Sequence, residues 1–343
     1  MQANPLLSIV IPTYNRAVFL NHSLEVHIPL ARAHNIQLFI SDNASTDETA
    51  EVVNKRIKEY PLIKYYHNET NIGMDGNFER VLKYPQTEYV WLLGDTALIP
   101  YGGINYILNY ISEMNTKCDA IVFNVGNRGS EFPQQDYSDQ NKLLSELGWH
   151  MTCLSSLVFS SQLIKQANFE RYRNTCFIQT GIIFEYIANR RFLIHWIETL
   201  SVQQFLIEGC VRESWQNQIF EIWTKRWANL IFSLPSSYEL DVKLKCIMDH
   251  GIKSRIFSLQ GLLNLRNSKL LTLEAYKQYS QYFKFTINHM KLTILAFALL
   301  PRSATKIIVA IKQAIKGIEA EKTVIKAKKK INQIKEGENT YFF

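Results

Sequence analysis

Four short apolar runs in the N-terminal third of the chain each end at a polar cluster, and this repeat constrains the fold more than any other feature. The runs are Leu6–Ile11, Ile36–Ile40, Ile63–Tyr66 and Tyr89–Leu93. Between them, apolar residues recur at helical spacing, as in Val52, Val53 and Ile57. Short apolar runs that alternate with helices indicate βαβ units and a parallel sheet. We therefore expect an α/β fold.

The polar clusters that follow the runs should lie close together. Right-handed crossovers place the carboxyl ends of parallel strands on one edge of the sheet, and ligands of open α/β sheets bind beyond that edge. The clusters are Thr13–Arg16, Asp42–Asp47, Asn71–Asn77 and Gly94–Thr96. One cluster alone is equally well explained by helix caps or turns. Four of them on one edge indicate a binding site.

The chemistry of these residues suits a nucleotide diphosphate-sugar. The Asp42 carboxylate can accept hydrogen bonds from a base or a ribose, and Thr13 and Tyr14 can enclose the base. The amides of the Asn-rich loop can donate to sugar and phosphate oxygens, and Asp95 can hold a divalent cation. The first strand is not followed by G-x-G-x-x-G, and the chain has no G-x-x-x-x-G-K-[ST]. A dinucleotide-dependent dehydrogenase and a P-loop NTPase are therefore disfavoured.

The motifs resemble, in order and spacing, those of the family-2 inverting glycosyltransferases, which have the GT-A (Rossmann-like) fold. They read SIVIPTYNR from Ser8, SDNASTD from Ser41, NIG from Asn71 and LLGD from Leu92. NIGMDGNF and WLLGD are most similar to the abequosyltransferase-like branch, which acts in bacterial surface-polysaccharide assembly such as O-antigen and capsule. The resemblance covers about residues 6–115. It implies inverting transfer of a sugar from a nucleotide-sugar donor to a glycan or lipid-linked oligosaccharide acceptor.

The resemblance also implies roles for individual residues. Asp42 would contact the base, Thr13 and Tyr14 would frame it, and Asp95 would be the first carboxylate of the metal-binding Asp-x-Asp motif. The implied donor site comprises Pro12, Thr13, Tyr14, Asn15, Arg16, Asp42, Asn43, Asn71, Gly73, Asp75, Asn77, Gly94, Asp95 and Thr96.

The metal-binding motif departs from the family. Similar proteins usually read Gly-Asp-Asp-Asp, whereas this chain reads Gly94-Asp95-Thr96-Ala97, so the last carboxylate is an alanine. One carboxylate and the donor phosphates can still hold Mg²⁺ or Mn²⁺ weakly, because Mg²⁺ often keeps several waters. Three outcomes stay open: weak metal dependence, a replacement ligand, and loss of activity. The last would leave a catalytically impaired homologue that binds a sugar nucleotide or an assembly partner without turnover.

His195 is the candidate replacement ligand for the metal. It ends a strand-like stretch, and imidazole suits several divalent metals. A lone histidine on an apolar segment is more often a structural residue, so both roles stay open.

The catalytic base is a second gap in the motifs. In the family it is an acidic residue at a helix start downstream of the metal motif, where it deprotonates the acceptor hydroxyl. The corresponding stretch, Asn174–Gly181, contains no Asp or Glu. Glu185 on the following helix is the nearest carboxylate and the candidate base, although a surface or ion-paired glutamate is the commoner role for such a residue.

The positive charge of the chain is concentrated near its end. The net charge is +7, and residues 302–335 contribute +8 from ten Lys or Arg and two Glu. An apolar stripe in this stretch predicts a basic amphipathic helix on an anionic membrane surface; a helix packed on the domain is the alternative. The N-terminal half lacks a basic stripe for a phosphate backbone, so no nucleic-acid partner is expected.

These patterns predict three regions. Residues 1–200 form the GT-A domain, residues 201–300 a helical acceptor or packing region, and residues 301–343 the basic membrane-associating tail. Five scattered cysteines without a CxxC pair indicate reduced thiols, and neither a signal-peptide pattern nor a long apolar span is present. We expect a cytoplasmic protein, peripheral on the cytoplasmic face of the inner membrane.

Overall fold

The computed structural model describes residues 2–113, 117–210, 215–287, 291–305 and 308. The chain forms two compact units, Met1–Ser254 and Arg255–Phe343. In the described part of the first unit the strands are β1 (Leu7–Thr13), β2 (Gln37–Asp42), β3 (Ile63–His67), β4 (Tyr89–Leu92), β5 (Ala97–Leu98), β6 (Ala120–Val125), β7 (Gln135–Tyr137), β8 (Leu157–Ser160) and β9 (Ile194–Gln204). Its helices are α1 (Ala17–Ala33), α2 (Thr49–Glu59), α3 (Gly73–Lys83), α4 (Gly103–Glu113), α5 (Gln140–Leu147), α6 (Ser161–Gln166), α7 (Phe169–Tyr172), α8 (Ile178–Ile187), α9 (Trp227–Ser233) and α10 (Leu240–Lys253).

The strands form one mixed sheet in the order β3-β2-β1-β4-β8-β6-β9-β5, with β7 also paired to β9. The four predicted strands are parallel to one another. The expectation of a parallel sheet is wrong beyond them, because β8 runs antiparallel to both β4 and β6. An antiparallel neighbour needs no crossover helix, and β8 is entered through two short 3₁₀ turns, His150–Thr152 and Leu154–Ser156.

The apolar runs are central strands because the sheet is covered on both faces. All seven residues of β1 and all four of β4 are buried, as expected for parallel strands with helices on each side. Trp91 of β4 stacks on Phe123 of β6 with ring centroids 4.5 Å apart. The polar clusters begin where these buried strands end, at Thr13 for β1 and after Leu92 for β4.

Tyr60 joins the end of α1 to the start of β2. Its hydroxyl lies 2.7 Å from the Ile36 carbonyl oxygen and 3.2 Å from that of Ala31. Burial raises the pKa of Tyr60 to about 12.

Removing this hydroxyl should destabilise the protein. We expect Tyr60→Phe to lower the free energy of unfolding by about 1–2 kcal/mol, since it leaves a buried carbonyl oxygen without its donor. Urea denaturation measures the change, and Tyr101→Phe is the matched control because Tyr101 is 95% exposed. Equal losses in the two variants would contradict the assignment.

The described residues of the second unit form three helices, α11 (Leu259–Asn267), α12 (Leu273–Thr286) and α13 (Lys291–Leu299). Their buried faces include Leu262, Phe283 and Ile294, and α13 packs against both other helices. Arg266 Nε donates to the Leu300 carbonyl oxygen at 2.9 Å, which holds the end of α13 against α11. The largely helical character expected of the C-terminal region is confirmed.

The unit boundary differs from the predicted domain boundaries. Residue 200 falls inside β9, and the first unit continues to Ser254, because α10 packs against α5 and α9. Of the predicted membrane-associating tail, only residues 301–305 and 308 are described, so the amphipathic stripe and its basic residues lie outside the described residues. No helix within the described ranges is both long and apolar enough to cross a membrane.

Candidate functional site

A cavity of about 330 Å³ lies at the carboxyl ends of β1, β2 and β4. We call it the edge cavity. Nine of the residues implied by the motifs line it: Pro12, Thr13, Tyr14, Arg16, Asn43, Asn71, Asn77, Gly94 and Asp95. Polar residues that are up to about 80 positions apart in the chain therefore share one cavity, as the parallel topology requires.

An ion pair between Arg16 and Asp95 dominates the charge of the edge cavity. Arg16 Nε donates to Asp95 Oδ2 at 2.6 Å, and Thr13 Oγ1 lies 3.4 Å from the same oxygen. Asp95 is only 8% exposed, so breaking the pair would remove a counter-charge from a largely buried carboxylate. The Arg16 guanidinium also lies over the Phe19 ring, 4.5 Å from its centroid.

The loop after β2 positions Arg16. Asp47 Oδ2 accepts the backbone N–H of Ala17 at 2.9 Å, which caps the start of α1. Asn15 has φ 49°, a left-handed conformation that asparagine tolerates, and its Oδ1 accepts the backbone N–H of Thr46 at 2.7 Å. Asn15 thus joins the loop after β1 to the loop after β2 and does not line the cavity.

The asparagines of the site bond chiefly to one another. Asn43 Nδ2 donates to Asn71 Oδ1 at 2.8 Å, and Asn43 Oδ1 accepts the backbone N–H of Ile72 at 2.9 Å. Asn77 exchanges two hydrogen bonds with Ser41, at 2.7 and 3.0 Å. These bonds hold the loop before α3 against the end of β2. They also occupy amide groups that the sequence analysis expected to donate to sugar and phosphate oxygens.

Asp42 does not line the edge cavity, so its expected contact with the base stays a prediction without support from its placement. It is fully buried. Its Oδ1 accepts the Ser45 N–H at 2.9 Å, and its Oδ2 accepts the Tyr65 hydroxyl at 2.7 Å. His67 Nδ1 lies 3.2 Å from Oδ2. These neighbours satisfy the carboxylate, so Asp42 shapes the loop and leaves Asn43 as the residue after β2 that lines the cavity.

Three further residues of the implied donor set lie outside the edge cavity. Thr96 is buried, and its carbonyl oxygen accepts the Phe205 N–H at 3.1 Å. Gly73 begins α3 with φ 77°, which favours glycine. Asp75, in the first turn of α3, lines a different cavity of about 760 Å³.

His195 does not line the edge cavity, and both of its ring nitrogens have neighbouring partners. Its Nδ1 lies 2.5 Å from Asp136 Oδ1, and its Nε2 lies 2.8 Å from the Tyr106 hydroxyl. Tyr110 stacks on the ring at a centroid distance of 3.9 Å. Burial lowers the pKa of His195 despite the neighbouring Asp136 carboxylate. Because both ring nitrogens have partners, the ring has no free position for a metal, and the proposed ligand role is not supported.

Glu185 lines neither cavity. Its carboxylate lies 3.4 Å from Arg171 Nε and accepts from Asn168 Nδ2 at 3.4 Å. Arg171 in turn donates to the Ser233 carbonyl oxygen. These contacts join α7, α8 and α9, which is the ion-paired role weighed for this residue from the sequence. The role of Glu185 as a base stays a prediction without support from its placement.

A divalent cation does not fit this donor set if protein side chains alone must hold it. Within the described ranges, no group of three or more His, Cys, Asp or Glu residues is arranged to bind a metal ion. Asp95 is bonded to a cationic side chain, and Ala97 at the end of the motif is a buried residue of β5.

The motifs did not identify Met74, Phe78 and Leu154, which also line the edge cavity. The sequence analysis treated the Asn-rich Asn71–Asn77 cluster as a loop, whereas α3 begins at Gly73. Met74 and Phe78 are four residues apart, so they lie on one face of that helix. Leu154 reaches the site because Ser155 Oγ accepts the Gly94 N–H at 3.0 Å and the Ser155 carbonyl oxygen accepts Trp91 Nε1–H at 2.9 Å. No motif marks it.

The family model of Glycosyl transferase family 2 matches residues 8–194, more than half of the chain. The chain belongs to this family. The resemblance inferred from the motifs is therefore confirmed, and the matched region contains every residue that lines the edge cavity.

Two curated relatives of this family-2 chain come from bacterial glycan assembly. Abequosyltransferase RfbV of Salmonella typhimurium is 25% identical over 214 residues, which cover 56% of this chain and 64% of the relative. The GalNAc(5)-diNAcBac-PP-undecaprenol beta-1,3-glucosyltransferase of Campylobacter jejuni is 26% identical over 199 residues, which cover 56% and 62%. The match thus spans less than two thirds of the length of these relatives.

Solved structures confirm the GT-A fold. Residues 1–349 of S. aureus TarS in complex with UDP-GlcNAc superpose with a TM-score of 0.54 at 16% identity, covering 85% of this chain and 88% of that one. The mannosyltransferase PcManGT of Pyrobaculum calidifontis in complex with GDP-Man and Mn²⁺ superposes with a TM-score of 0.51 at 14% identity, covering 87% and 89%. At these identities the likeness concerns the fold alone.

Proposed function

We propose that this chain is an inverting glycosyltransferase that moves a sugar from a nucleotide-sugar donor to a glycan acceptor in bacterial surface-polysaccharide assembly. The observation that carries the proposal is the edge cavity, where Tyr14, Asn71 and Asp95 meet beside the Arg16 guanidinium. The roles of the two curated relatives, as their names describe them, support the substrate class.

Each part of a nucleotide-sugar has a suitable neighbour in the edge cavity. The Tyr14 ring is 42% exposed and offers a flat face on which a base can stack. Arg16 provides a planar, permanently charged group for diphosphate oxygens. Small-molecule cavities typically measure about 300–1,000 Å³, so the volume of about 330 Å³ suits part of a nucleotide with the remainder extending outward.

We propose that the donor diphosphate, more than the protein, holds any divalent cation that the reaction uses. PcManGT contains Mn²⁺ together with GDP-Man, which supports a cation in this fold. Here Asp95 already bonds to Arg16, so Arg16 supplies the first positive charge beside the phosphates. Dependence of donor binding on Mg²⁺ or Mn²⁺ should then be weak.

We further propose a lipid-linked acceptor and a position on the cytoplasmic face of the inner membrane. The name of the Campylobacter relative includes a PP-undecaprenol-linked glycan, and the net charge of +8 over residues 302–335 suits an anionic lipid surface. O-antigen and capsule are the surface polysaccharides to test first.

A thermal-shift screen tests donor binding. A ligand that binds the native state at 100 times its dissociation constant stabilises it by about 2.7 kcal/mol, so one nucleoside diphosphate and its sugar conjugates should raise the melting temperature clearly. The matching nucleoside without phosphates is the control and should produce a much smaller shift. No shift with UDP, GDP, CDP or dTDP derivatives would contradict the proposal.

A catalytically impaired homologue is the alternative, and the replacement of the last motif carboxylate by Ala97 favours it. It would show the same thermal shift but no release of nucleoside diphosphate from any donor, with or without Mg²⁺ or Mn²⁺. Turnover of one donor excludes it.

A further inference from the structure

The larger cavity, of about 760 Å³, lies directly beside the edge cavity. We call it the basic cavity; it is lined by Ile72, Gly73, Met74, Asp75, Gly76, Glu79, Arg80, Lys83, Tyr84, Arg173, Asn174, Cys176, Gln218 and Arg226. Met74 lines both cavities. The first turn of α3 therefore separates them, and it contains Gly73 and Gly76, which have no side chains. A second substrate in the basic cavity would lie next to a donor in the edge cavity.

Asp75 has the environment of a reactive carboxylate. It is 5% exposed, and one oxygen, Oδ2, accepts the Cys176 N–H at 2.9 Å. The other oxygen, Oδ1, is buried without a hydrogen-bond partner among the described residues. A buried acceptor without a donor is costly, so its persistence in a cavity wall indicates a ligand that supplies the missing hydrogen bond.

The electrostatic surroundings of Asp75 favour a proton acceptor. Burial raises its pKa, while the backbone N–H groups of Cys176, Ile178 and Thr175 and, to a smaller extent, the Arg226 guanidinium act in the opposite direction. Glu79, one turn further along α3, adds a negative charge to the same cavity but is neutralised by Lys83 at 2.6 Å and Arg173 at 2.9 Å. A carboxylate with a raised pKa is a stronger base than an exposed one and matches the requirement of general-base catalysis near neutral pH.

The lining charges indicate the class of molecule that the cavity receives. Four basic residues line it, Arg80, Lys83, Arg173 and Arg226, against the two acidic residues Asp75 and Glu79. Arg80 bonds to the neutral Asn68 Oδ1 at 2.7 Å and forms no ion pair among the described residues. An excess of guanidinium groups is suited to phosphate oxygens.

We propose that the basic cavity is the acceptor site, that it takes a phosphate-bearing glycan, and that Asp75 is the general base. This assignment rests on the proposed glycosyltransferase function. Asp75 removes the proton from the acceptor hydroxyl as that oxygen forms a bond to the anomeric carbon of the donor sugar. The bond from this carbon to the nucleoside diphosphate breaks, and the diphosphate leaves with the electron pair.

The test compares Asp75→Asn with Glu113→Gln, a change of the same charge at the exposed end of α4, which lines neither cavity. The donor is the nucleotide-sugar selected by the thermal-shift screen, and the acceptor probe is a short-chain polyprenyl diphosphate disaccharide. We expect Asp75→Asn to lower kcat about 10²- to 10⁴-fold, with the dissociation constant for the nucleoside diphosphate unchanged within about twofold. Glu113→Gln should leave kcat unchanged. Unchanged nucleotide affinity also shows that Asp75→Asn is folded, and Asp75→Ser is the second variant if it is not.

Two further readouts separate a base from a structural residue. The wild-type kcat should fall on the acid side as Asp75 becomes protonated, at a pH above the ordinary carboxylate range, with Cys176, Arg226 and Glu79 as the neighbouring titratable groups; the residual activity of Asp75→Asn should lack this limb. Arg173→Gln should raise the acceptor KM about tenfold, because one charge-assisted hydrogen bond to the acceptor is lost. The donor KM should not change.

The outcomes distinguish this inference from the proposed function. If the wild type is active and Asp75→Asn is equally active, Asp75 is not the general base. An unchanged acceptor KM in Arg173→Gln overturns the acceptor site. A wild type that turns over no donor overturns the proposed function and this inference together.

Discussion

Replacement of Arg16 by alanine should weaken binding of the nucleoside diphosphate about 10- to 100-fold in EDTA. The range corresponds to the loss of a charge-assisted hydrogen bond worth roughly 1.5–3 kcal/mol. A second effect acts in the same direction. Loss of the counter-charge 2.6 Å away increases the repulsion between the Asp95 carboxylate and the phosphates, because like charges repel.

Isothermal titration with the nucleoside diphosphate measures this change. Arg16→Lys is the matched variant, because it keeps the charge but loses the planar fork that fits phosphate oxygens. We expect it to bind the nucleoside diphosphate about threefold to tenfold more weakly than the wild type, because only part of the hydrogen-bond energy is lost. The corresponding nucleoside should bind all three proteins alike. If Arg16→Ala binds the diphosphate within twofold of the wild type, Arg16 is not a phosphate ligand.

The first four strands of the fold could be predicted from the sequence because the patterns that define them are local. The apolar runs, their lengths and the helical spacing between them define β1 to β4 without knowledge of any distant contact. The parallel order of these strands then brings Thr13, Asn43 and Asp95 to one edge. Motifs that follow strand ends carry this information because the strands themselves fix where the motifs lie.

The hydrogen-bond and ion-pair partners of each polar side chain could not be predicted from the sequence, because they come from distant segments of the chain. Asp42 is satisfied by Tyr65 from the neighbouring strand, and no local pattern distinguishes such a carboxylate from an exposed one. Arg16 and Asp95 are 79 residues apart. The position of Asp95 at the end of a strand could therefore be read from the sequence, whereas its ion pair with Arg16 could not.

Residues contributed by the later part of the chain were also missed. Asp75 was assigned to the donor on the basis of its motif, yet its carboxylate bonds to Cys176, 101 positions away. Leu154 enters through the antiparallel strand β8, which the alternation of strands and helices did not predict. The start of α3 was missed because tertiary bonds, such as that from Asn43 Nδ2 to the Gly73 carbonyl oxygen at 3.2 Å, offset the low helix propensity of Gly and Asn.

The sign of the effect of Asp95→Asn separates two accounts of the donor site. The asparagine keeps an oxygen for the Arg16 Nε–H but removes one negative charge beside the donor phosphates. Two charges about 4 Å apart interact by about 4 kcal/mol at an effective dielectric constant of 20. Greater separation and salt reduce this repulsion to about 1 kcal/mol. We therefore expect Asp95→Asn to bind the nucleoside diphosphate about fivefold more tightly than the wild type in EDTA.

Titration in EDTA and in 5–10 mM Mn²⁺, on the order of the concentrations that saturate weak oxygen-ligand sites, completes the experiment. If Arg16 is the main counter-charge, Mn²⁺ changes wild-type affinity by less than about fivefold, and the advantage of Asp95→Asn persists. If Asp95 is a metal ligand, the gain in EDTA is reversed in Mn²⁺, where Asp95→Asn binds more than about tenfold more weakly than the wild type because one charged ligand bond is lost. Glu113→Gln, an exposed change of the same charge at the end of α4, should leave both affinities unchanged. The two accounts thus predict opposite signs for one substitution in Mn²⁺, because an ion pair with Arg16 and a bond to a metal ion use the same carboxylate.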